Sequence, residues 1–255
     1  GTIYLGNELI PGARETVEAL RAAGRRVAFL TNKPLESRSE LAEKLSRLGI
    51  PVTKDEVISS TYVLARYLAD TKPGMRVYAV GTPSLREELA GQGLRVLDEH
   101  EAVCGPVDAV VAASDTTLTF EKLRAAFSAL QAGAGFYATN PDRSYPVEDG
   151  DVPCTAGVIA FLEATTGRTV ELVAGKPNAL AAQTAAAVVE APVDACIMLG
   201  DRLDTDIDAA VNADMAAAVV LTGVATHEEA EAYRKRRGLA PNRLYVLPSV
   251  RDLIE

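Results

Sequence analysis

The stretch from Ala195 to Asp208, which reads ACIMLGDRLDTDID, carries the pattern that decides the fold. An apolar run with the length and composition of a buried strand ends at Gly200, and four carboxylates follow within eight residues. Strands this apolar belong to parallel sheets, and open sheets of that kind bind ligands at the carboxyl ends of their strands. Clustered carboxylates there need a positive partner, and a hard divalent cation with oxygen ligands supplies one. The stretch therefore predicts a Mg²⁺ site in an α/β enzyme.

The composition limits the class of protein and its partners. The chain has 255 residues, of which 48% are hydrophobic and 24% charged, which suits a globular protein of one large or two smaller domains. Its net charge of −9 argues against nucleic acid as the main partner, because binding a phosphate backbone needs a basic surface. No apolar run approaches the roughly 20 residues of a membrane span, and nothing reads as a signal peptide. We therefore expect a cytoplasmic protein without a membrane or nucleic-acid partner.

The cysteines and histidines do not suggest a metal centre of their own. Cys104, Cys154 and Cys196 are an odd number, lie far apart and form no CxxC pair. This pattern favours small buried side chains over disulfides or zinc ligands. His100 and His227 are too few for a histidine-based metal site, and His227 reads as a surface residue at a helix start.

Helix-period segments alternate with short apolar segments along most of the chain, which predicts parallel sheets built from βαβ units. The predicted helices include residues 119–131, 156–164 and 205–212, and residues 143–153 are predicted to form a polar loop. The turn cluster Lys72-Pro73-Gly74 marks the first candidate boundary. We predict a discontinuous core domain of residues 1–73 and 170–255 and a second domain of residues 74–169.

Three of the predicted strands end in polar sequence motifs. These are LTNK at Leu30–Lys33, GKP at Gly175–Pro177 and GDRLDTD at Gly200–Asp206. In this order they resemble three of the four motifs of the haloacid dehalogenase superfamily. The long segment between the second and third resembles the cap of its NagD-like or p-nitrophenyl phosphatase subgroup (class IIA, C2 cap). The triplet Asn140-Pro141-Asp142 and the opening GTIYLGNELIPGA resemble the same subgroup.

The resemblance implies a Rossmann-like core with a parallel sheet and an inserted α/β cap. In this family Gly-Thr-hydrophobic-Tyr follows an Asp-x-Asp at the end of the central strand, and the chain begins at Gly1, directly after that place. Without this strand, its two neighbours would stand roughly 10 Å apart with unpaired backbone groups. We therefore expect the central strand, the nucleophilic aspartate and a second, general acid/base aspartate upstream of Gly1.

The family chemistry implied by the resemblance is phosphate monoester hydrolysis through an aspartyl-phosphate. Thr31 would donate its hydroxyl to a phosphoryl oxygen, helped by Asn32. Lys176 would pair with the nucleophile and the phosphate. Asp201 would bind Mg²⁺, and Asp206 would bind it directly, bind it through water or orient the site.

The cap would close over the site and select a small phosphorylated metabolite. Asn140, Asp142 and Arg143 lie on a loop after a predicted cap strand and would contact the substrate, with a turn carrying solvated charges as the alternative. The subgroup also implies a homodimer formed through the cap.

Other interpretations compete with these roles. Thr31 and Asn32 would serve as a plain turn, and Lys176 as a surface lysine, if each motif stood alone. An EF-hand-like loop fails because Ala209 stands where that loop needs glycine. The residues without an assigned role are Lys33, Asp115, Asp204 and Asp208, of which the last two suit a helix N-terminus. A dehalogenase is less favoured than a phosphatase, and the alternative from another class is a non-catalytic HAD-fold binding or regulatory protein without the nucleophile.

Overall fold

A computed structural model of the chain describes residues 1–33, 35–147 and 150–254. The strands are β1 (Tyr4–Leu5), β2 (Glu8–Leu9), β3 (Phe29–Thr31), β4 (Val57–Ser59), β5 (Arg76–Val80), β6 (Arg95–Leu97), β7 (Ala109–Ala112), β8 (Gly135–Ala138), β9 (Ser144–Val147), β10 (Gly150–Pro153), β11 (Leu172–Val173), β12 (Ile197–Gly200), β13 (Ala216–Val220) and β14 (Leu244–Leu247). The α-helices are α1 (Ala13–Ala22), α2 (Arg38–Arg47), α3 (Ser60–Thr71), α4 (Pro83–Gly91), α5 (Glu99–Cys104), α6 (Phe120–Gln131), α7 (Thr155–Thr166), α8 (Ala179–Val188), α9 (Asp208–Asn212) and α10 (His227–Arg237).

The chain forms two compact units, each built from separate segments. The first comprises Gly1–Leu30, Arg38–Ile58 and Lys176–Glu255, and the second comprises Thr31–Ser37 and Ser59–Gly175. The predicted domains, residues 1–73 with 170–255 and residues 74–169, have different edges and stay a prediction. Among the described residues, no helix is long and apolar enough to cross a bilayer.

The first unit contains a parallel sheet in the order β12-β13-β14. β13 reads AAAVV, and its small side chains share a buried cluster with residues of α8, α9 and α10, including Ala182, Ala210 and Tyr233. β12 lies at one edge of this sheet, and β3 pairs with β4 in a separate two-stranded sheet. Asp201 follows the carboxyl end of β12, so the stretch from Ala195 to Asp208 does contain a strand end with a carboxylate.

The second unit contains a five-stranded parallel sheet in the order β11-β8-β7-β5-β6. All four residues of β7 are buried, and Phe136 of β8 packs in one core cluster with Leu130 of α6 and Leu162 of α7. Parallel strands buried on both faces need this near-continuous apolar composition. The α/β fold class predicted from the sequence is confirmed.

Several local expectations are confirmed and others are corrected. The helix predicted over residues 119–131 is α6, and α10 begins at the exposed His227. The loop predicted over residues 143–153 instead contains the strands β9 and β10, which pair with each other in antiparallel fashion. Their sequences, SYPV and GDVP, lack the regular apolar–polar alternation that predicts a strand. The expectation of buried cysteines is wrong for Cys104, which is exposed, and Cys196 is only partly buried.

Asp108, Lys72 and Arg76 form an ion cluster in the second unit, and this cluster leads to a prediction about stability. Asp108 accepts hydrogen bonds from Lys72 Nζ at 2.8 Å and from the Arg76 backbone nitrogen, Nε and Nη2 at 2.8–3.0 Å. The hydrogen bonds from Arg76 and those from Lys72 lower the pKa of Asp108 against the opposing effect of burial. We expect Asp108→Asn to lower the free energy of unfolding by about 2 kcal/mol, measured by urea denaturation at pH 7.

The loss should depend on pH with a definite sign. Because the folded pKa is depressed, the Asp108 contribution is complete above the unfolded value of about 4 and declines as pH falls below it. The difference between the wild type and Asp108→Asn should therefore shrink below pH 4. Asp70→Asn is the control, since Asp70 is mostly exposed and lies 3.8 Å from Arg66, and it should change stability by less than about 0.5 kcal/mol. Equal losses for both variants would contradict the prediction.

Candidate active site

Asp201 follows the last residue of β12 and has a side chain that is 15% exposed. Its Oδ1 accepts the Thr2 hydroxyl at 2.9 Å and lies 3.3 Å from the Gly1 amino nitrogen. The Asp201 carboxylate is thus held by a side-chain donor, the Thr2 hydroxyl, at the end of the strand. Asp201 therefore presents carboxylate oxygens at the strand end.

The loop after β13 packs its backbone against this carboxylate. A Cβ at Gly223 would lie 2.1 Å from Asp201 Oδ2, and the Val224 nitrogen donates to the same oxygen at 3.4 Å. The Thr222 hydroxyl donates to the Gly1 carbonyl at 2.7 Å. Sequence reasoning missed this loop, although Leu221-Thr222-Gly223 follows an apolar strand just as the three recognised signatures do.

Asp206 and Lys176 form an ion pair at 2.6 Å between Oδ1 and Nζ, with side chains only 10% and 12% exposed. Asp206 Oδ2 accepts the backbone nitrogens of Asp201 and Arg202, each at 3.1 Å. The Lys176 ammonium also donates to the Leu30 carbonyl at 3.3 Å. Both Asp206 oxygens are thus used by protein groups, which favours the orienting role among the three predicted for this residue.

The local backbone explains why Asp206 reaches back over the strand end. Residues Leu203–Ile207 form a turn of π-helix before α9, where the sequence predicted an α-helix from residue 205. A Cβ at Gly200 would lie 2.1 Å from the Asp206 Cβ, so only glycine allows this close approach. The wide turn is of a type that is frequent at functional sites.

The acids without an assigned role have structural partners. Asp204 forms an exposed pair with Arg202 at 3.1 Å. Asp208 begins α9 and accepts the Tyr233 hydroxyl at 2.7 Å. In the second unit, Asp115 accepts Lys122 Nζ at 2.7 Å, and Lys33 Nζ lies 3.2 Å from a Glu36 oxygen.

The remaining predicted site residues lie in the second unit. The Asn32 carbonyl accepts Asn140 Nδ2 at 2.9 Å, and Asn140 Nδ2 also donates to Asp142 Oδ2 at 2.9 Å. The Lys33 backbone nitrogen donates to the Thr31 hydroxyl oxygen at 3.1 Å. The structure therefore brings Asn32, Asn140 and Asp142 together, whereas Arg143 follows them as an exposed residue.

Magnesium suits the donor chemistry at the end of β12. Among the described residues, no group of three or more His, Cys, Asp or Glu side chains could hold a metal. Mg²⁺ does not need such a cage, because it keeps several waters and binds through one or two carboxylates and substrate phosphate. The largely buried Asp201 carboxylate fits that mode, and its role as a ligand stays a prediction.

Two sequence families match the chain in two separate regions. Residues 1–95 match a family described as haloacid dehalogenase-like hydrolase. Residues 173–253 match a family described as HAD-hydrolase-like. The first match includes Thr31 and Asn32, and the second includes Lys176, Asp201 and Asp206.

Similar proteins match nearly the whole chain. The sugar phosphatase AraL of Bacillus subtilis is 35% identical over 253 residues, which cover 99% of this chain and 89% of the relative. The p-nitrophenyl phosphatase from Archaeoglobus fulgidus has a TM-score of 0.87 at 33% identity, covering 99% of this chain and 94% of that one. The glycerol phosphate phosphatase from Mycobacterium tuberculosis in complex with magnesium has a TM-score of 0.86 at 33% identity, covering 99% and 73%. The chain therefore belongs to the haloacid dehalogenase-like hydrolases, and within them to the phosphatases of the NagD and p-nitrophenyl phosphatase group.

Proposed function

We propose that this phosphatase hydrolyses a small phosphorylated metabolite with Mg²⁺, through an aspartyl-phosphate formed on an aspartate upstream of Gly1. The observation that carries the proposal is the buried ion pair of Lys176 and Asp206 beside Asp201 at the end of β12. A buried lysine and two acids at one strand end serve a substrate that brings negative charge and a cation with it.

Asp201 would hold Mg²⁺, with Asp206 keeping the turn at residues 201 and 202 and the Lys176 ammonium in place. When bound, the cation would reduce the negative charge of the phosphoryl group that meets the nucleophile. Lys176 would share this task as a positive group with little access to water, where its attraction for an anion is weakly screened. Thr31 and Asn32 would donate hydrogen bonds to phosphoryl oxygens.

The covalent sequence has two displacements at phosphorus. In the first, a carboxylate oxygen of the upstream nucleophile bonds to phosphorus, the bond to the leaving oxygen breaks, and the general acid supplies that oxygen with a proton. In the second, water attacks phosphorus after losing a proton to the same group, and the carboxylate leaves as phosphate forms. One observation agrees with the proposal of an upstream strand. β12 is an edge strand, and its outer edge has no strand partner among the described residues.

The second unit would supply the contacts that choose the substrate. Asp142 lies on a loop after β8, and the exposed Arg143 adds a positive charge. Similar proteins are named for sugar phosphates and for glycerol phosphate, so phosphorylated sugars and polyols are the first class to test. Asn140 is fully buried and would act through its neighbours. The homodimer through the cap and the cytoplasmic location stay predictions.

The test uses the full-length protein with p-nitrophenyl phosphate and a panel of sugar and polyol phosphates. We expect phosphate release in Mg²⁺ and its loss in EDTA, with recovery when Mg²⁺ is restored. With glycerol added as a competing acceptor, the ratio of transferred to released phosphate should be constant for all leaving groups, because one phosphoenzyme is shared. Turnover unaffected by EDTA would overturn the metal dependence, and a ratio that varies with the leaving group would overturn the intermediate.

A further inference from the structure

The peptide group between Asn32 and Lys33 is held at both of its polar ends. Its carbonyl oxygen accepts Asn140 Nδ2 at 2.9 Å and the Ser60 hydroxyl at 3.2 Å. Its N–H, which belongs to Lys33, donates to Thr31 Oγ1 at 3.1 Å. Because a peptide group is planar and rigid, fixing the carbonyl also fixes the direction of the N–H. The two donors therefore determine how the Thr31 oxygen is approached.

The two side chains that donate to the Asn32 carbonyl are buried, and the orientation of the Asn140 amide is fixed. Asn140 has no exposed surface and Ser60 only 1%. The Asn140 amide nitrogen faces two acceptors, the Asn32 carbonyl and Asp142 Oδ2 at 2.9 Å, so its orientation follows from chemistry. A buried amide with both N–H groups engaged is expensive to rearrange.

The Asn32 side chain is confined as well. A Cβ at Gly175 would lie 2.7 Å from Asn32 Oδ1 and 2.7 Å from the Thr139 carbonyl, so the loop packs directly against glycine backbone. Three groups thus fix this segment. They are the carbonyl and the side chain of Asn32 and the backbone N–H of Lys33. A solvated turn does not require such support.

We infer that Asn140 and Ser60 are positioning residues that orient the Thr31 hydroxyl for the phosphoryl group. A threonine hydroxyl has one proton to donate and can accept two. With the Lys33 N–H occupying an acceptor position, the Thr31 proton is directed elsewhere, where a phosphoryl oxygen can accept it. This inference rests on the proposed function, because it takes Thr31 as a phosphoryl contact.

The test is a set of double-mutant cycles in the full-length protein, measured as kcat and KM with p-nitrophenyl phosphate. Asn140→Ala should lower kcat/KM by about tenfold to a hundredfold, since small misplacements of an oriented group cost that much. In the Thr31→Val background the same change should cost less than about twofold, because no hydroxyl remains to be oriented. Thr31→Ser keeps the hydroxyl, and in that background the full effect of Asn140→Ala should return.

Two further variants separate orientation from general destabilisation. Ser60→Ala removes the second donor with a minimal change in volume, so it tests the inference even if Asn140→Ala does not fold. Its effect should also disappear in the Thr31→Val background. Thr119→Ala is the control for general destabilisation, because it removes the hydroxyl that caps α6 by accepting a hydrogen bond from the Lys122 backbone nitrogen. Its effect on kcat/KM should be the same in the wild-type and Thr31→Val backgrounds.

The outcomes distinguish this inference from the proposed function. Full turnover by Thr31→Val would remove the role proposed for Thr31, and the inference with it. Reduced turnover by Thr31→Val, with undiminished effects of Asn140→Ala and Ser60→Ala in that background, would overturn the inference alone. Loss of both effects in that background, with their return in Thr31→Ser, would support it.

Discussion

Lys176→Met is expected to lower kcat/KM for p-nitrophenyl phosphate by about a thousandfold in the full-length protein. Methionine keeps the length and much of the volume of the side chain but removes the positive charge. The ammonium is 12% exposed and lies 2.6 Å from Asp206, so solvent cannot replace it. Removal of one preorganised electrostatic group from an active site costs about a hundredfold to a thousandfold in rate. Phosphate release by stopped assay with Mg²⁺ present gives the measurement.

The same substitution should destabilise the first unit, and this effect has to be separated from catalysis. Removing Lys176 leaves the buried Asp206 carboxylate without its cation, which costs about 3 kcal/mol. The double variant Lys176→Met with Asp206→Asn removes both charges, and an asparagine oxygen can still accept the backbone nitrogens of Asp201 and Arg202. We expect this variant to recover most of the stability and none of the turnover.

Two results would contradict the role of Lys176. Near-wild-type turnover by Lys176→Met would show that the charge is not needed. Recovery of turnover in the double variant, together with stability, would show that the single variant fails only because it unfolds.

The strand-end residues could be predicted from the sequence because they follow continuous apolar runs, which predict buried strands. Leu30, Gly175 and Gly200 each close such a run, and the carboxyl ends of parallel strands are where polar groups gather. The order of the three signatures added the family chemistry. Strand position and the order of the signatures were therefore enough to predict that Lys176 and Asp201 lie at strand ends. Their catalytic roles stay predictions.

The contacts that hold these residues could not be predicted in the same way. Thr2 and Asp201 are 199 residues apart in the chain, and Asn32 and Asn140 are 108 apart. Such contacts depend on tertiary packing, which a local pattern does not encode. The triplet Asn140-Pro141-Asp142 predicts a substrate loop, but the Asn140 side chain is buried. Its hydrogen bonds to backbone indicate support of another loop.

The π-helical turn at Leu203–Ile207 illustrates a different limit. The spacing of acids and apolar residues there fits an α-helix from residue 205, which is what the sequence predicted. The structure widens the turn, and Asp206 accepts two backbone nitrogens at 3.1 Å while contacting Lys176. Tertiary electrostatics outweighed local helical preference at a site with functional residues.

Asp201→Asn is expected to lower Mg²⁺-dependent turnover by about a hundredfold to a thousandfold and to weaken Mg²⁺ binding. The substitution keeps the shape of the side chain, and an amide oxygen can still accept the Thr2 hydroxyl, now 2.9 Å from Oδ1. What disappears is the negative charge, which is the main attraction for a hard divalent cation. Mg²⁺ titrations of turnover at saturating substrate, with calorimetric titration of Mg²⁺ into the substrate-free protein, measure the two effects separately.

Gly223→Ala provides a second variant that displaces the Asp201 carboxylate without removing its charge. The added methyl would lie 2.1 Å from Oδ2, so the carboxylate or the loop must move. We expect the Mg²⁺ concentration for half-maximal activity to rise about tenfold, because a misplaced ligand binds less tightly. Gly157→Ala is the matched control, since a Cβ there meets no atom within 4 Å, and it should leave the titration unchanged. Wild-type Mg²⁺ affinity in both Asp201→Asn and Gly223→Ala would show that the cation binds elsewhere.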